Sequence, residues 1–132
     1  GTVVDAAQRQ GLQGLAGELG ENCNAVCQAH GLGCWGGMAA AVNTCAALRL
    51  AFGSLCDGGC SDAMYGHDLP AYNAEHRKCL LNQKPAEYAL WCAATHPRAR
   101  RLCPCAKPLD TWLTASWVQQ FKATHNLFGG QP

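Results

Sequence analysis

The sequence predicts a small disulfide-rich domain, mainly α-helical with one short β-hairpin and about five disulfides. Three observations carry that expectation. Ten cysteines fall within 132 residues, and an even set at this density reads as up to five bridges in an oxidising compartment. Large apolar residues are scarce, with no isoleucine and 15 glycines, so burial gains little per ordered residue and covalent staples compensate. Apolar positions recur at helical spacing in several segments, whereas strand-like runs are confined to one short stretch.

Composition excludes several function classes. A net charge of +1 with 14% charged residues gives no bulk attraction to nucleic acid. No stretch approaches the roughly 20 apolar residues of a membrane span; the Ala-rich run from Met38 is cut by Asn43 and Arg49. No Cys-x-x-Cys occurs, so neither a thioredoxin-type site nor paired zinc knuckles fits, and no metal or cofactor is expected. The chain opens on Gly1 and reads as a processed or excised piece.

Residues 1–19 form the first segment, an N-terminal helix or linker. Val4, Ala7, Leu12, Leu15 and Leu19 can share one helical face, while Gly11, Gly14 and Gly17 each cost about 1 kcal/mol against Ala. The cysteine-rich domain spans 20–107. Cys23 and Cys27 stack on one face of a short helix that ends at Gly31, a left-handed cap, with Cys34 just beyond. Trp35-Gly36-Gly37 is a turn, and Met38 to Phe52 a second helix with Cys45, Leu48 and Phe52 on one side. Gly53 ends it, and Cys56 to Cys60 is a tight loop. Ser61 to Arg77 reads as an ordered loop. Cys79–Asn82 and Tyr88–Cys92 are the strands of the hairpin, turning at Lys84-Pro85. His96 to Arg101 is a basic loop running into Cys103-Pro104-Cys105. Residues 108–132 are a C-terminal amphipathic helix and tail, capped by Asp110 and repeating Leu113, Trp117 and Phe121.

The run from Gly20 to Gln28 containing Cys23 and Cys27, the Gly31-Leu-Gly-Cys34 close, and the segment Cys92-Ala-Ala-Thr-His96-Pro97-Arg98-Ala-Arg100-Arg101-Leu-Cys103-Pro104-Cys105 together resemble one known family. They look like the cysteine-rich C-terminal region of the N-acetylglucosaminyltransferase V family, the Golgi alpha-1,6-mannosylglycoprotein 6-beta-N-acetylglucosaminyltransferases. The resemblance covers about residues 20–105. Cys45 and Cys60 lack counterparts in the family pattern, so they are expected to pair with each other. The nucleotide-sugar-binding body of the family has no counterpart here. For the remaining cysteines, which with these two could pair in on the order of a thousand ways, the expectation joins one of Cys23 or Cys27 to the Cys103/Cys105 pair.

Each chemical candidate has a structural counterpart reading. Gly66-His67-Asp68 reads as solvated loop rather than a catalytic dyad, since sequence neighbours rarely face each other. A thiol nucleophile needs an unpaired cysteine, which an even count argues against. Ser54, Ser61 and Ser116 lack a nucleophile elbow, so no catalytic residue is assigned. Arg98, Arg100, Arg101 and Lys107 are the charge cluster, either a solvated loop or a contact for an anion or acidic glycan. Trp35, Trp91, Trp112 and Trp117 could stack on sugar rings, though most are needed as core; Trp35, among glycines, is expected to be the exposed one. Asn43-Thr44-Cys45 is a rare type of glycosylation acceptor.

The resemblance implies a non-catalytic cysteine-rich accessory domain of a glycosyltransferase-like protein in the secretory-pathway lumen or outside the cell. Its partners would be an upstream catalytic body of the same parent chain, a glycan or a glycoprotein. The alternative is an extracellular structural, adhesive or carbohydrate-binding module.

Overall fold

The computed structural model describes residues 11–108. There the mainly α-helical expectation is overturned, because a mixed six-stranded sheet organises the chain. The elements run β1 (Gln13–Leu19), α1 (Cys23–Ala29), β2 (Gly33–Cys34), a 3-10 turn (Gly36–Ala41), α2 (Cys45–Phe52) and a second 3-10 turn (Gly53–Cys56). Then follow β3 (Cys60–Ser61), β4 (Ala71–Asn73), β5 (Lys78–Leu80) and β6 (Ala99–Ala106). The strand order is β1-β6-β4-β5-β3, with β2 also on β6; β3 and β5 are parallel and the other pairs antiparallel.

The central strand is the segment read from sequence as a basic loop and Cys-Pro-Cys. Proline inside a central strand normally breaks the ladder. Here the carbonyl of Pro104 accepts from Trp35 N at 2.8 Å, and Leu102 N on the same edge reaches Pro70 O at 3.0 Å. The N–H that Pro104 lacks would point between them, where β4 has ended at Arg101 and β2 begins at Cys105. No ladder bond is lost.

Residues 13–19 are strand, not helix. Glycines at 14 and 17 disfavour the helix, and a short isolated helix is marginal in water, whereas β6 offers a full-length antiparallel partner. Gly17 is buried where α1 crosses, and a Cβ there would lie 2.7 Å from Val26 Cγ2. The expected helix over Met38–Phe52 is also broken. Asn43 exchanges two hydrogen bonds with the Asn82 backbone, at 3.0 and 2.8 Å, and Thr44 Oγ1 then caps α2 by accepting from Ala47 N. α1 begins as the spacing implies, with Asn22 as cap. It closes on Gly31 (φ +71) with Leu32 N to Cys27 O and Gly31 N to Gln28 O, a Schellman end.

The expected hairpin is displaced. β5 pairs with β4 across a turn at 74–77, and 88–92 is irregular. Asn82 ends the strand, because its side-chain amide donates to Gly66 O and Tyr88 O while its Oδ1 accepts from Lys84 N.

Side-chain alternation on β6 divides the core. Cys103 and Cys105 face α1, Val26, Leu90 and Cys92; Leu102 faces α2 through Leu48 and Phe52, with Tyr72 and Cys79. The disulfides divide the same way. Cys23–Cys103, Cys27–Cys105 and Cys34–Cys92 lie on the α1 side, and Cys45–Cys60 and Cys56–Cys79 on the α2 side. The Cys45–Cys60 bridge is the expected one. Both cysteines of α1, not one, reach the Cys-Pro-Cys pair. Four residues of helix rise about 6 Å and two residues of strand about 6.6 Å, so the two spacings coincide and α1 is clamped to β6 twice.

Candidate functional site

Arg101 is the organising residue of one loop-built face. It is fully buried, on the side of β6 that carries Cys103. Its Nε donates to Asp68 O at 3.2 Å, Nη1 to Trp91 O at 2.8 Å and Ala94 O at 2.6 Å, and Nη2 to His67 O at 3.3 Å. A planar fork of five donors suits carbonyls converging from two loops. Burial pulls the guanidinium down to about 10, opposed by the nearby Asp68 charge, and it remains positive at neutral pH.

The loops so tied, residues 64–70 and 82–94, carry a row of aromatic rings. His67 stacks on Trp91 with centroids 3.6 Å apart and planes at 10°. Tyr88 lies 5.4 Å from His67 and 4.7 Å from Tyr65, and Lys84 Nζ sits 4.6 Å over the Tyr65 ring. Tyr65 is 46% exposed and its neighbour Met64 51%. His67 Nδ1 lies 2.7 Å from Ala89 O. A carbonyl only accepts, so Nδ1 carries the proton and Nε2 is the acceptor in the neutral ring. A cleft of about 360 Å³ opens between these loops and the 36–40 turn, with Leu69, Pro85, Ala86 and Leu90 on one wall, Gly36 and Ala40 on the other, and Asn43 and Asn82 as its polar residues; none of the four rings lines it.

The residues singled out from sequence do not converge here. Trp35 is fully buried, not exposed, because its backbone N is bonded to Pro104 O beside β6. The arginines do not form one patch. Alternation sends Arg100 and Arg101 to opposite faces of β6; Arg100 Nε donates to Gly17 O at 2.9 Å, its guanidinium lies 3.8 Å from Glu18 Oε1 and 5.4 Å from the Phe52 ring centroid. Only Arg98 and Lys107 of that set are exposed. His67 is half-buried and bonded rather than solvated. The side chain of Asn43 is committed to Asn82. Trp112, Trp117 and the helix expected from Asp110 lie outside the described residues. Tyr65 and Tyr88, 23 positions apart, carried no signal, because nothing local shows that two loops meet around a third residue's guanidinium.

All ten cysteines are paired, leaving no free thiol. Among the described residues no three His, Cys, Asp or Glu side chains are grouped to share a metal ion, and no helix is long and apolar enough to cross a membrane. In comparison with known families, the model of glycosyltransferase family 18 matches residues 7–105, three-quarters of the chain. No curated protein matches it.

Proposed function

Because this chain belongs to glycosyltransferase family 18, we propose that it is a non-catalytic, cysteine-rich accessory domain of a glycosyltransferase in the secretory pathway or outside the cell. The observation that carries the reading is how the thiols and the polar side chains around β6 are held among the described residues. Every thiol is in a disulfide, Arg101 is occupied by carbonyls, Arg100 is tied to β1, and His67 is stacked and bonded. Groups held in this way build a rigid platform rather than a reacting centre. Disulfides at this density suit an oxidising lumen, and the double clamp of α1 to β6 would give a catalytic body a stiff surface to rest on.

The test is transfer by the isolated chain, supplied with UDP-N-acetylglucosamine and a mannose-terminated N-glycan acceptor. Neither turnover nor saturation-transfer signals from the sugar nucleotide are expected. Turnover by this chain alone would sink the accessory reading.

A second reading, a carbohydrate-binding module, is favoured by the aromatic row from Tyr65 to Trp91. A glycan array separates the two. Binding that disappears in Tyr65→Ala supports recognition through that row, and silence across the array leaves the accessory role alone.

A further inference from the structure

We propose that a second concavity, at the β3 end of the sheet, binds a tetrahedral oxyanion, a sulfate or phosphate group. It encloses about 360 Å³ between the 58–61 loop and the turn joining β4 to β5, and is lined by Gly58, Gly59, Cys60, Ser61, His76, Arg77 and Lys78. Arg77 and Lys78 bring positive charge and His76 an imidazole, and no carboxylate is among the lining residues. Among the described residues the one ion pair is Arg100 with Glu18, so no described carboxylate is paired with Arg77 or Lys78.

Backbone conformation points to the same place. Arg77 has φ +54, the one non-glycine residue with positive φ among those described. Glycine or asparagine suits that conformation better, so an arginine there spends stability on what its side chain does. Gly58 presents the converse case. Its φ is not positive, and an added Cβ would meet nothing within 4 Å. The fold therefore does not require glycine at 58, and a residue without a side chain there leaves the mouth of the concavity open to an anion. Ser61 Oγ accepts from Ala63 N, which leaves its hydroxyl proton to donate.

The rim is preorganised. Cys56–Cys79 ties the start of the glycine loop to the strand after Lys78, and Cys45–Cys60 ties its end to α2. Cys60 and Cys79 are also β-partners. The backbone of both walls is thus fixed, and only the exposed Arg77 and Lys78 side chains must order on meeting an anion.

The test is an amide NMR titration of the full chain with sodium sulfate, with sodium chloride at matched ionic strength as reference. Saturable shifts confined to residues 58–61 and 76–78 are expected. A sulfated monosaccharide run in parallel distinguishes the source: tighter binding than free sulfate points to a sulfated sugar, and equal binding to the free ion. Arg77→Gly should bind about tenfold more weakly, the loss of one charge-assisted contact, while its melting temperature holds or rises. Gly58→Ala should keep its stability and also bind more weakly. The site is overturned if shifts follow ionic strength at all surface cations, Arg98 included. Sulfate binding unchanged in both Arg77→Gly and Lys78→Gln would overturn it equally.

Discussion

The imidazole of His67 lies on the indole of Trp91 with centroids 3.6 Å apart, and the backbone carbonyls of both residues accept from the Arg101 guanidinium. Trp91 N donates in turn to His67 O at 3.0 Å. The aromatic row is thus held by a buried charge behind it, and its geometry depends on a side chain that no ligand would touch.

Arg101→Met should therefore destabilise the chain by about 3–5 kcal/mol, because converging carbonyls are left buried without donors. Urea unfolding measures the loss. Near-ultraviolet circular dichroism should lose the signature of the His67–Trp91 stack.

The pH dependence of that loss follows from its sign. The folded arginine keeps its proton only to about 10, lower than the unfolded one, because burial disfavours its charge. Between the folded and unfolded values the unfolded chain binds more protons, so rising pH favours the fold through this group only there. Below about pH 10 both states are charged, and the stability difference between wild type and Arg101→Met should be flat across neutral pH, where Asp68 keeps the charge that acts on Arg101. A slope in that range would contradict the assignment.

Trp35 and Tyr65 should part company on truncation. Trp35→Ala empties a fully buried site and should cost about 3–5 kcal/mol. Tyr65→Ala removes a ring that is 46% exposed and should cost under about 1.5 kcal/mol. Thermal melts of the two variants check this directly.

The two clamps between α1 and β6 should be non-additive. Cys23–Cys103 and Cys27–Cys105 close nearly the same loop, with separations of 80 and 78 residues. Replacing either pair by serine leaves the other to hold that loop, and should cost under about 2 kcal/mol. Replacing both should release a closure worth roughly 4–5 kcal/mol by chain entropy. Additive losses in denaturant melts would contradict the shared-loop account.

Gly17→Ala should cost about 1–3 kcal/mol by overpacking, since the new methyl meets Val26 Cγ2 at 2.7 Å. Val26→Ala in the same chain should recover part of the loss. The coupling is read from a double-mutant cycle.

Local chemistry was legible in the sequence wherever it was self-contained. The short helix carrying Cys23 and Cys27 and its left-handed end at Gly31 follow from residues within ten positions of each other. The break before α2 was not legible. The alanine run favours helix locally, and the partner that draws Asn43 away is Asn82, 39 positions on. The candidate site fails for the same reason. Trp35 among glycines looks like a turn residue, and only its bond to Pro104, together with the packing around β6, explains why it is buried.

By itself the sequence determined that the chain is stapled: an even set of ten cysteines, two of them four apart on one helical face, and an added pair, Cys45 and Cys60, that bond to each other. It could not determine that Cys-Pro-Cys sits in the middle of a sheet. Strands at 2, 3 or 7 residues have no stability alone, and their partners lie tens of positions away. The tertiary structure decided the sheet, the splitting of Arg100 and Arg101 to opposite faces, and the aromatic row that Arg101 holds. Each depends on strand pairing, which is non-local and leaves no periodic trace in segments this short.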